Sequence, residues 1–159
     1  MEIQELHRYT KDVESLFRFF SDPPTIKAKF EGIGARNIQV LESSEQGGVH
    51  LTRTQREMPA EVPGILKKFF GEWNKVVQTE RWRREGSSRT CEFQIDVSGA
   101  PVKMHGTMQL RPEGEGCVND VKLDISCGVP LLGKKIVELV AATSRKGMAA
   151  EYAYIRAHL

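Results

Sequence analysis

The pattern of hydrophobic and polar positions changes its period along the chain. After a weakly alternating stretch at residues 2 to 9, apolar side chains recur with helical spacing up to Asp22, and a second short helical pattern covers residues 25 to 34. Between residues 35 and 127 the dominant period is two, which predicts strands. Residues 131 to 158 contain no proline and return to a helical period. The predicted order is one strand, two short helices, six further strands and a long C-terminal helix.

One segment interrupts the run of strands. Residues 59 to 73, "PAEVPGILKKFFGEW", combine prolines with an apolar patch. For this segment we expect an ordered loop with about two turns of helix. Elsewhere the strands are separated by glycine-rich turn sequences, which predict antiparallel hairpins.

Three of the later strands alternate clearly and define the inner face of the predicted sheet. Long antiparallel strands with one apolar face need another element packed across that face. The terminal helix, about 28 residues and so roughly 42 Å long, can cover the sheet. Gly106, in the middle of a strand, is expected to permit tight bending. The inner positions assigned in this way are Phe93, Ile95, Val97, Met104, Met108, Leu110, Val121 and Leu123.

The stretch "VVQTERW" does not alternate cleanly, so its inner face has to be assigned by charge. Arg81 and Arg83 would be very costly to bury without partners, which predicts that their face points outward. The other face then points inward and carries Val76, Gln78, Glu80 and Trp82.

The preceding strand offers a partner for this polar group. If Val49 and Leu51 point inward, Arg53 and Gln55 follow them, and Arg53 is expected to pair with Glu80. The interior would then hold a polar spot in a mainly apolar wall, which is typical of ligand sites.

Each of these polar residues also has a structural interpretation. Glu80 would then lie in solvent at a strand end or in a structural ion pair, and Gln55 and Gln78 would be satisfied amides. Asn119, on the inner face of its strand, would satisfy a local backbone group, and Trp82 would be a core or rim aromatic.

Composition narrows the class of partner. The 159 residues carry a net charge of +2 and no basic stripe, so we expect no nucleic-acid partner. No apolar run approaches the roughly 20 residues that span a bilayer, and the charged N-terminus lacks the apolar core of a signal peptide. Three cysteines without a CxxC pair predict free thiols in a reducing cytoplasm. No metal-ligand motif or phosphate-binding loop is present, and we expect no metal and no cofactor.

The predicted element order resembles the helix-grip fold of the START and birch-pollen-allergen superfamily, which includes polyketide cyclase-like proteins. The segments "PAEVPGILKKFFGEWNKVVQTERW" and "CGVPLLGKKIVELV" are similar to one bacterial branch without an established activity. The resemblance covers essentially the whole chain and implies a single α+β domain over residues 1–159. It implies a curved seven-stranded antiparallel sheet wrapped around the C-terminal helix, two short helices after the first strand, and a deep, mainly apolar cavity.

The resemblance also implies a function. We expect a hydrophobic small molecule or lipid to bind in this cavity, with the protein acting as a non-catalytic carrier or sensor. The alternatives are a cyclase- or hydrolase-like enzyme with Glu80 as its acid or base, and a protein-interaction module with a filled core. The residues expected to contact the ligand are Arg53, Gln55, Gln78, Glu80, Trp82, Phe93, Ile95, Met104, Met108, Asn119, Val121, Leu123, Thr143 and Gly147.

The 62–71 loop is expected to border the cavity. It carries four large apolar residues that would form a mobile lid or, alternatively, a static plug. Its two lysines would face water or acidic lipid head groups, giving a transient membrane contact. The lid residues are Ile65, Leu66, Phe69 and Phe70.

Overall fold

Seven strands form one antiparallel sheet in the order β1-β7-β6-β5-β4-β3-β2. The computed structural model describes residues 1–60 and 62–159. Each strand from β2 to β7 is hydrogen-bonded to the next one along the chain, and β1 pairs with β7 at the edge opposite β2. The strands are β1 (Glu2–Tyr9), β2 (Arg36–Gln46), β3 (Val49–Pro59), β4 (Trp73–Glu85), β5 (Ser88–Val97), β6 (Val102–Glu113) and β7 (Gly116–Cys127).

Three α-helices accompany the sheet: α1 (Val13–Ser21), α2 (Pro23–Gly32) and α3 (Gly133–His158). Aspartate side chains cap the N-termini of α1 and α2. The side chain of Asp12 accepts a hydrogen bond from the Ser15 N–H at 2.9 Å, and Asp22 both ends α1 and caps α2. The predicted α+β helix-grip architecture, with two short helices after the first strand, is confirmed.

Residues 59 to 73 contain less helix than the two turns expected, and residue 61 of this segment lies outside the described residues. Only Gly64–Leu66 forms a single 3₁₀ turn. Pro63 cannot donate a backbone hydrogen bond, and Gly64 and Gly71 favour non-helical backbone, so too few residues remain for an α-helix.

The core lies between the concave face of the sheet and the helices. Trp82 is completely buried, and its ring lies 5.3 Å from the ring centroids of both Phe17 and Phe20 in α1. Helix α3 packs against β7, β1 and α2. Ile136, Val140 and Ile155 are among its buried residues. Helices α1 and α2 therefore close one end of the sheet, and α3 runs across it.

Gly106 is required by the close approach of its neighbours. A Cβ atom at this position would collide with the carbonyl oxygen of Lys122 on β7 and lie 2.6 Å from Cζ of Phe93 on β5. The backbone of β7 is held in the sheet on both sides, so it has little freedom to move away.

We therefore expect Gly106→Ala to lower the free energy of unfolding by about 1–3 kcal/mol, through overpacking against a fixed backbone. Gly128→Ala is the matched control, because a Cβ there meets nothing within 4 Å; its effect should stay within about 0.5 kcal/mol. Denaturant unfolding of both variants measures the difference, and equal stabilities would contradict this role for Gly106.

Candidate functional site

A cavity of about 260 Å³ lies between the inner face of the sheet and α3. This volume is near the lower end of small-molecule pockets, about 300 Å³. Most of its wall is apolar, and the strands β5, β6 and β7 supply much of that wall through Phe93, Ile95, Val97, Met104, Met108, Val121 and Leu123.

Most of the residues expected to contact a ligand do line this cavity. They are Gln78, Phe93, Ile95, Met104, Met108, Asn119, Val121, Leu123, Thr143 and Gly147. Glu80 and Trp82 are buried on the same side of the sheet but lie outside the cavity wall. Arg53 and Gln55 are not part of it.

The inward face of β4 is the one predicted from the cost of burying Arg81 and Arg83. Trp82 is 0% exposed and Glu80 is 6% exposed, whereas Arg81 and Arg83 are exposed. The irregular alternation of this strand therefore reflects a polar group on a buried face.

The expected inner face of β3 is wrong. Arg53 is exposed, and the buried side chains are those of Thr52, Thr54 and Arg56. Directly opposed residues of antiparallel strands share a face, and Thr54 lies opposite the inward Gln78. Gln55 therefore lies on the outer face with Arg53. The apolar residues at the start of β3, which suggested the opposite register, are only half-buried.

Arg56 takes the interior place expected for Arg53. Its guanidinium lies 4.0 Å above the ring of Phe30, and its Nη2 donates to Oε1 of Gln78 at 3.1 Å. Burial lowers the pKa of Arg56 to about 10, so the group stays charged at neutral pH. Its Nε and Nη1 have no hydrogen-bond partner among the described residues.

A chain of hydrogen bonds continues from Arg56 along β4. Nε2 of Gln78 donates to Oε1 of Glu80 at 2.7 Å, and Nε1 of Trp82 donates to Oε2 at 2.8 Å. Burial raises the pKa of Glu80, and Lys29 nearby opposes the rise. The expected Arg53–Glu80 pair does not form. Both carboxylate oxygens are already engaged, so Glu80 is placed to hold Gln78 and Trp82 and does not face the cavity.

A buried ion pair joins α2 to α3. The Lys29 side chain is 2% exposed, and its Nζ lies 2.6 Å from Oε1 of Glu151. The same Nζ lies 4.3 Å from the ring centroid of Phe20 and 4.7 Å from that of Phe30. Burial acts to raise the pKa of Glu151, but Lys29 and Arg56 outweigh it and hold that pKa below its usual value.

The Lys29–Glu151 pair was not predicted, although the pattern of α2 contains a signal for a buried lysine. The i, i+3, i+4, i+7 spacing of a buried helical face is present in α2, at Ile26, Lys29, Phe30 and Ile33. A lysine within such a stripe indicates a buried cation that needs a partner. The acidic partner, Glu151, lies far along the chain on α3, and no local pattern points to it.

A second polar group lies at the β1 edge of the cavity. His7 and Tyr9 are buried and line the cavity, and His7 lies directly opposite Asn119 of β7. The His7 ring stacks on Tyr152 of α3 at 4.4 Å, and the Tyr9 ring meets it edge-on at 5.3 Å. The Tyr152 hydroxyl points away and donates to the Arg8 carbonyl oxygen at 2.9 Å.

The grouping of His7 and Tyr9 with Asn119 was not predicted from the sequence, which identifies Tyr9 only as a candidate hydroxyl donor. His7 and Tyr9 share the period-two face of β1 with the fully buried Ile3. This shared face could have identified the inner side of β1. Burial lowers the pKa of His7, so its imidazole is neutral at neutral pH. Burial raises the pKa of Tyr9, which keeps its hydroxyl protonated.

The 62–71 loop borders the cavity, as expected, but the four residues of the expected lid differ in how far they are buried. Leu66 and Phe70 are buried, and Phe70 lines the cavity. Phe69 is half-buried, and Ile65 is 62% exposed. Ile65 therefore points to solvent, and only part of the expected lid faces inward.

Other kinds of site find no support in the described part of the chain. No cluster of three or more His, Cys, Asp or Glu side chains there could hold a metal ion. Within residues 1–60 and 62–159, no helix combines the length and apolarity needed to cross a bilayer. Cys91, Cys117 and Cys127 are free thiols.

Comparison with known proteins identifies a family for this chain. Residues 5–159 match a family described as "Protein of unknown function (DUF2505)". The chain belongs to this family. No curated protein matches the chain.

Solved structures of similar fold are distant in sequence. A START superfamily protein from Mycobacterium smegmatis is 12% identical with a TM-score of 0.67, covering 99% of each chain. A STAR-related lipid transfer protein from Xanthomonas axonopodis is 14% identical with a TM-score of 0.64, covering 98% of this chain and 85% of that one. The allergen Ara h 8.0201 is 14% identical with a TM-score of 0.64, covering 98% and 97%. At these identities the likeness shows the fold alone, and it confirms the START-like helix grip.

The Lys29–Glu151 pair is testable by a double-mutant cycle. Lys29→Met should lower the free energy of unfolding by about 3 kcal/mol, because it leaves the Glu151 carboxylate without its partner. The loss falls at the lower end of the range for broken buried pairs, because the Glu151 side chain remains 28% exposed. The double variant Lys29→Met, Glu151→Met should recover most of the loss, since neither charge is then left alone.

The cycle has a pH signature. The folded pKa of Glu151 is lowered, so its stabilisation is present above the unfolded carboxyl pKa and lost as pH falls through the folded pKa. Lys29→Met should weaken this loss of stability in acid. Additive single effects, or an unchanged pH profile, would contradict a coupled pair.

Proposed function

We propose that this protein binds an apolar small molecule or lipid in its cavity and acts as a carrier or sensor without chemical conversion. The observation that carries the proposal is a cavity whose wall is mainly apolar and contains four methionines, Met58, Met104, Met108 and Met148. Methionine side chains are flexible and polarizable, so they adapt to the shape of a guest.

The relatives add support at the level of fold. One structural neighbour is named a STAR-related lipid transfer protein. This name suggests lipid as one class of ligand for the cavity of the present chain.

The arrangement of reactive groups favours binding over catalysis. Glu80, the acid or base of the enzyme alternative, lies behind Gln78 with both oxygens engaged. The cysteines do not contribute to the cavity wall, and burial raises the pKa of Cys117 to about 11, which disfavours the reactive thiolate. The interaction-module alternative assumes a filled core, which fits a hollow interior less well.

We also propose an entrance to the cavity and a cellular location for the protein. The 62–71 loop, with Phe70 in the cavity wall, is the proposed entrance segment. Exposed Ile65 beside Lys67 and Lys68 suits transient contact with acidic lipid head groups. The free thiols suit the cytoplasm as the proposed location.

Filling the cavity from α3 tests the proposal. Gly147 lines the cavity, and a Cβ there meets nothing within 4 Å, so Gly147→Leu should project a side chain into the space. We expect the affinity for the fluorescent apolar dye N-phenyl-1-naphthylamine to fall at least about tenfold, because the side chain competes for the same volume.

Ala142→Leu is the matched control, since Ala142 is exposed on α3 and does not line the cavity. It should bind the dye as the unmodified protein does. Circular dichroism shows whether both variants keep the fold. Dye binding that is absent from the unmodified protein, or insensitive to Gly147→Leu, would refute internal binding.

A further inference from the structure

One wall of the cavity, on β1 and β7, carries polar side chains in a mainly apolar space, and one of their atoms is a buried acceptor without a partner among the residues described. Asn119 is 3% exposed, and its Oδ1 has no hydrogen-bond partner among the described residues. Its Nδ2 makes one long contact, to Sδ of Met108 at 3.8 Å. An unpaired buried acceptor is costly, so an interior group that donates to Oδ1 would be favoured.

The neighbours of Asn119 extend the same feature. His7 lies directly opposite Asn119, and Tyr9 is the next residue along β1 on that face. Both side chains line the cavity, and their described contacts are ring contacts to Tyr152. We call Asn119, His7 and Tyr9 the β1 polar wall. It offers the amide acceptor of Asn119, a hydroxyl on Tyr9, and one donor and one acceptor on the neutral ring of His7.

The charged groups of the interior restrict what this wall can receive. Lys29 and Arg56 carry two positive charges, and Glu80 and Glu151 carry two negative charges when ionised. Lys29 is paired with Glu151, and burial raises the pKa of Glu80. The cation that remains for a charged ligand is therefore Arg56, which lines the cavity and whose Nε and Nη1 have no partner in the described part of the chain. Arg56 belongs to β3, and four strands separate β3 from β1 in the sheet. A charged head placed at the β1 polar wall would therefore lack a counter-charge. A carboxylate would also approach Glu151, whose influence reaches both His7 and Tyr9.

We propose that the cavity selects an apolar molecule bearing a neutral hydroxyl group, which lies against the β1 polar wall while its apolar body fills the rest. This inference rests on the proposed function. A hydroxyl donates one hydrogen bond and accepts another, so a single group can donate to Asn119 and accept from Tyr9 or His7. A bare hydrocarbon end would leave the Asn119 acceptor unpaired.

Competition between three matched ligands tests the selection. Bound N-phenyl-1-naphthylamine is displaced near neutral pH by 1-decanol, decanoate or decylammonium, which share one chain and differ in the head group. We expect decanol to displace the dye at a concentration at least about tenfold lower than either charged ligand, since a charged head at the β1 polar wall must be desolvated away from the Arg56 guanidinium.

Two variants test whether Tyr9 and Asn119 bind the hydroxyl group of decanol. Tyr9→Phe and Asn119→Leu should each raise the decanol concentration needed by roughly three- to tenfold, as expected for one hydrogen bond, after correction for the dye affinity measured on the same variant. Tyr152→Phe is the matched control, because the ring lines the same cavity but its hydroxyl bonds to Arg8 outside it. It should leave the decanol value within about twofold of that of the unmodified protein.

The outcomes separate the two proposals. If the unmodified protein does not bind the dye, the proposed function fails and this inference fails with it. If the dye binds but decanol has no advantage over decanoate and decylammonium, the hydroxyl inference alone is overturned. It is overturned equally if Tyr9→Phe and Asn119→Leu have no more effect on decanol than Tyr152→Phe.

Discussion

The ion pair between Lys29 and Glu151 joins α2 to α3 inside the fold, with Nζ of Lys29 2.6 Å from the Glu151 carboxylate. A buried pair of this kind adds little net stability, because desolvation offsets the attraction between the charges. Its consequence is positional. It holds α3 at a fixed place over the sheet, and Phe20 and Phe30 beside Lys29 close that end of the interior. Arg56 and Glu80 then lie on the neighbouring strands β3 and β4, where Gln78 links them by hydrogen bonds.

The fold could be predicted because its signals are local. Alternation, turn residues and the proline-free terminal segment identify the strands and α3 without any knowledge of long-range contacts. The register of β4 could be predicted as well, since Arg81 and Arg83 have no reason to be buried. The register of β3 could not, because each of its faces carries an arginine, Arg53 or Arg56, and the apolar Val49 and Leu51 favour the wrong face. Arg56 is accommodated by the Phe30 ring and the Gln78 amide, and both contacts depend on tertiary structure.

The candidate site was predictable only in its apolar part. The wall built by β5, β6 and β7 follows from strict alternation along each strand. The polar part depends on pairs that are distant in sequence, such as Lys29 with Glu151 and His7 with Asn119. The cavity therefore has a charged region near β3, β4 and α2 and a neutral polar region at β1 and β7. This division makes the interior a chamber that can distinguish ligands by their head groups as well as by size.

The most direct test of a binding interior uses the methionines as reporters. The chain has five, and four of them, Met58, Met104, Met108 and Met148, line the cavity, whereas Met1 lies outside it and is 52% exposed. A spectrum of the protein labelled with ¹³C at the methionine methyl groups, recorded while N-phenyl-1-naphthylamine is added, compares all five sites at once. Internal binding predicts that the four cavity signals shift in a saturable way and that the Met1 signal stays in place. Shifts confined to Met1, or four cavity signals that do not move at saturating dye, would contradict it.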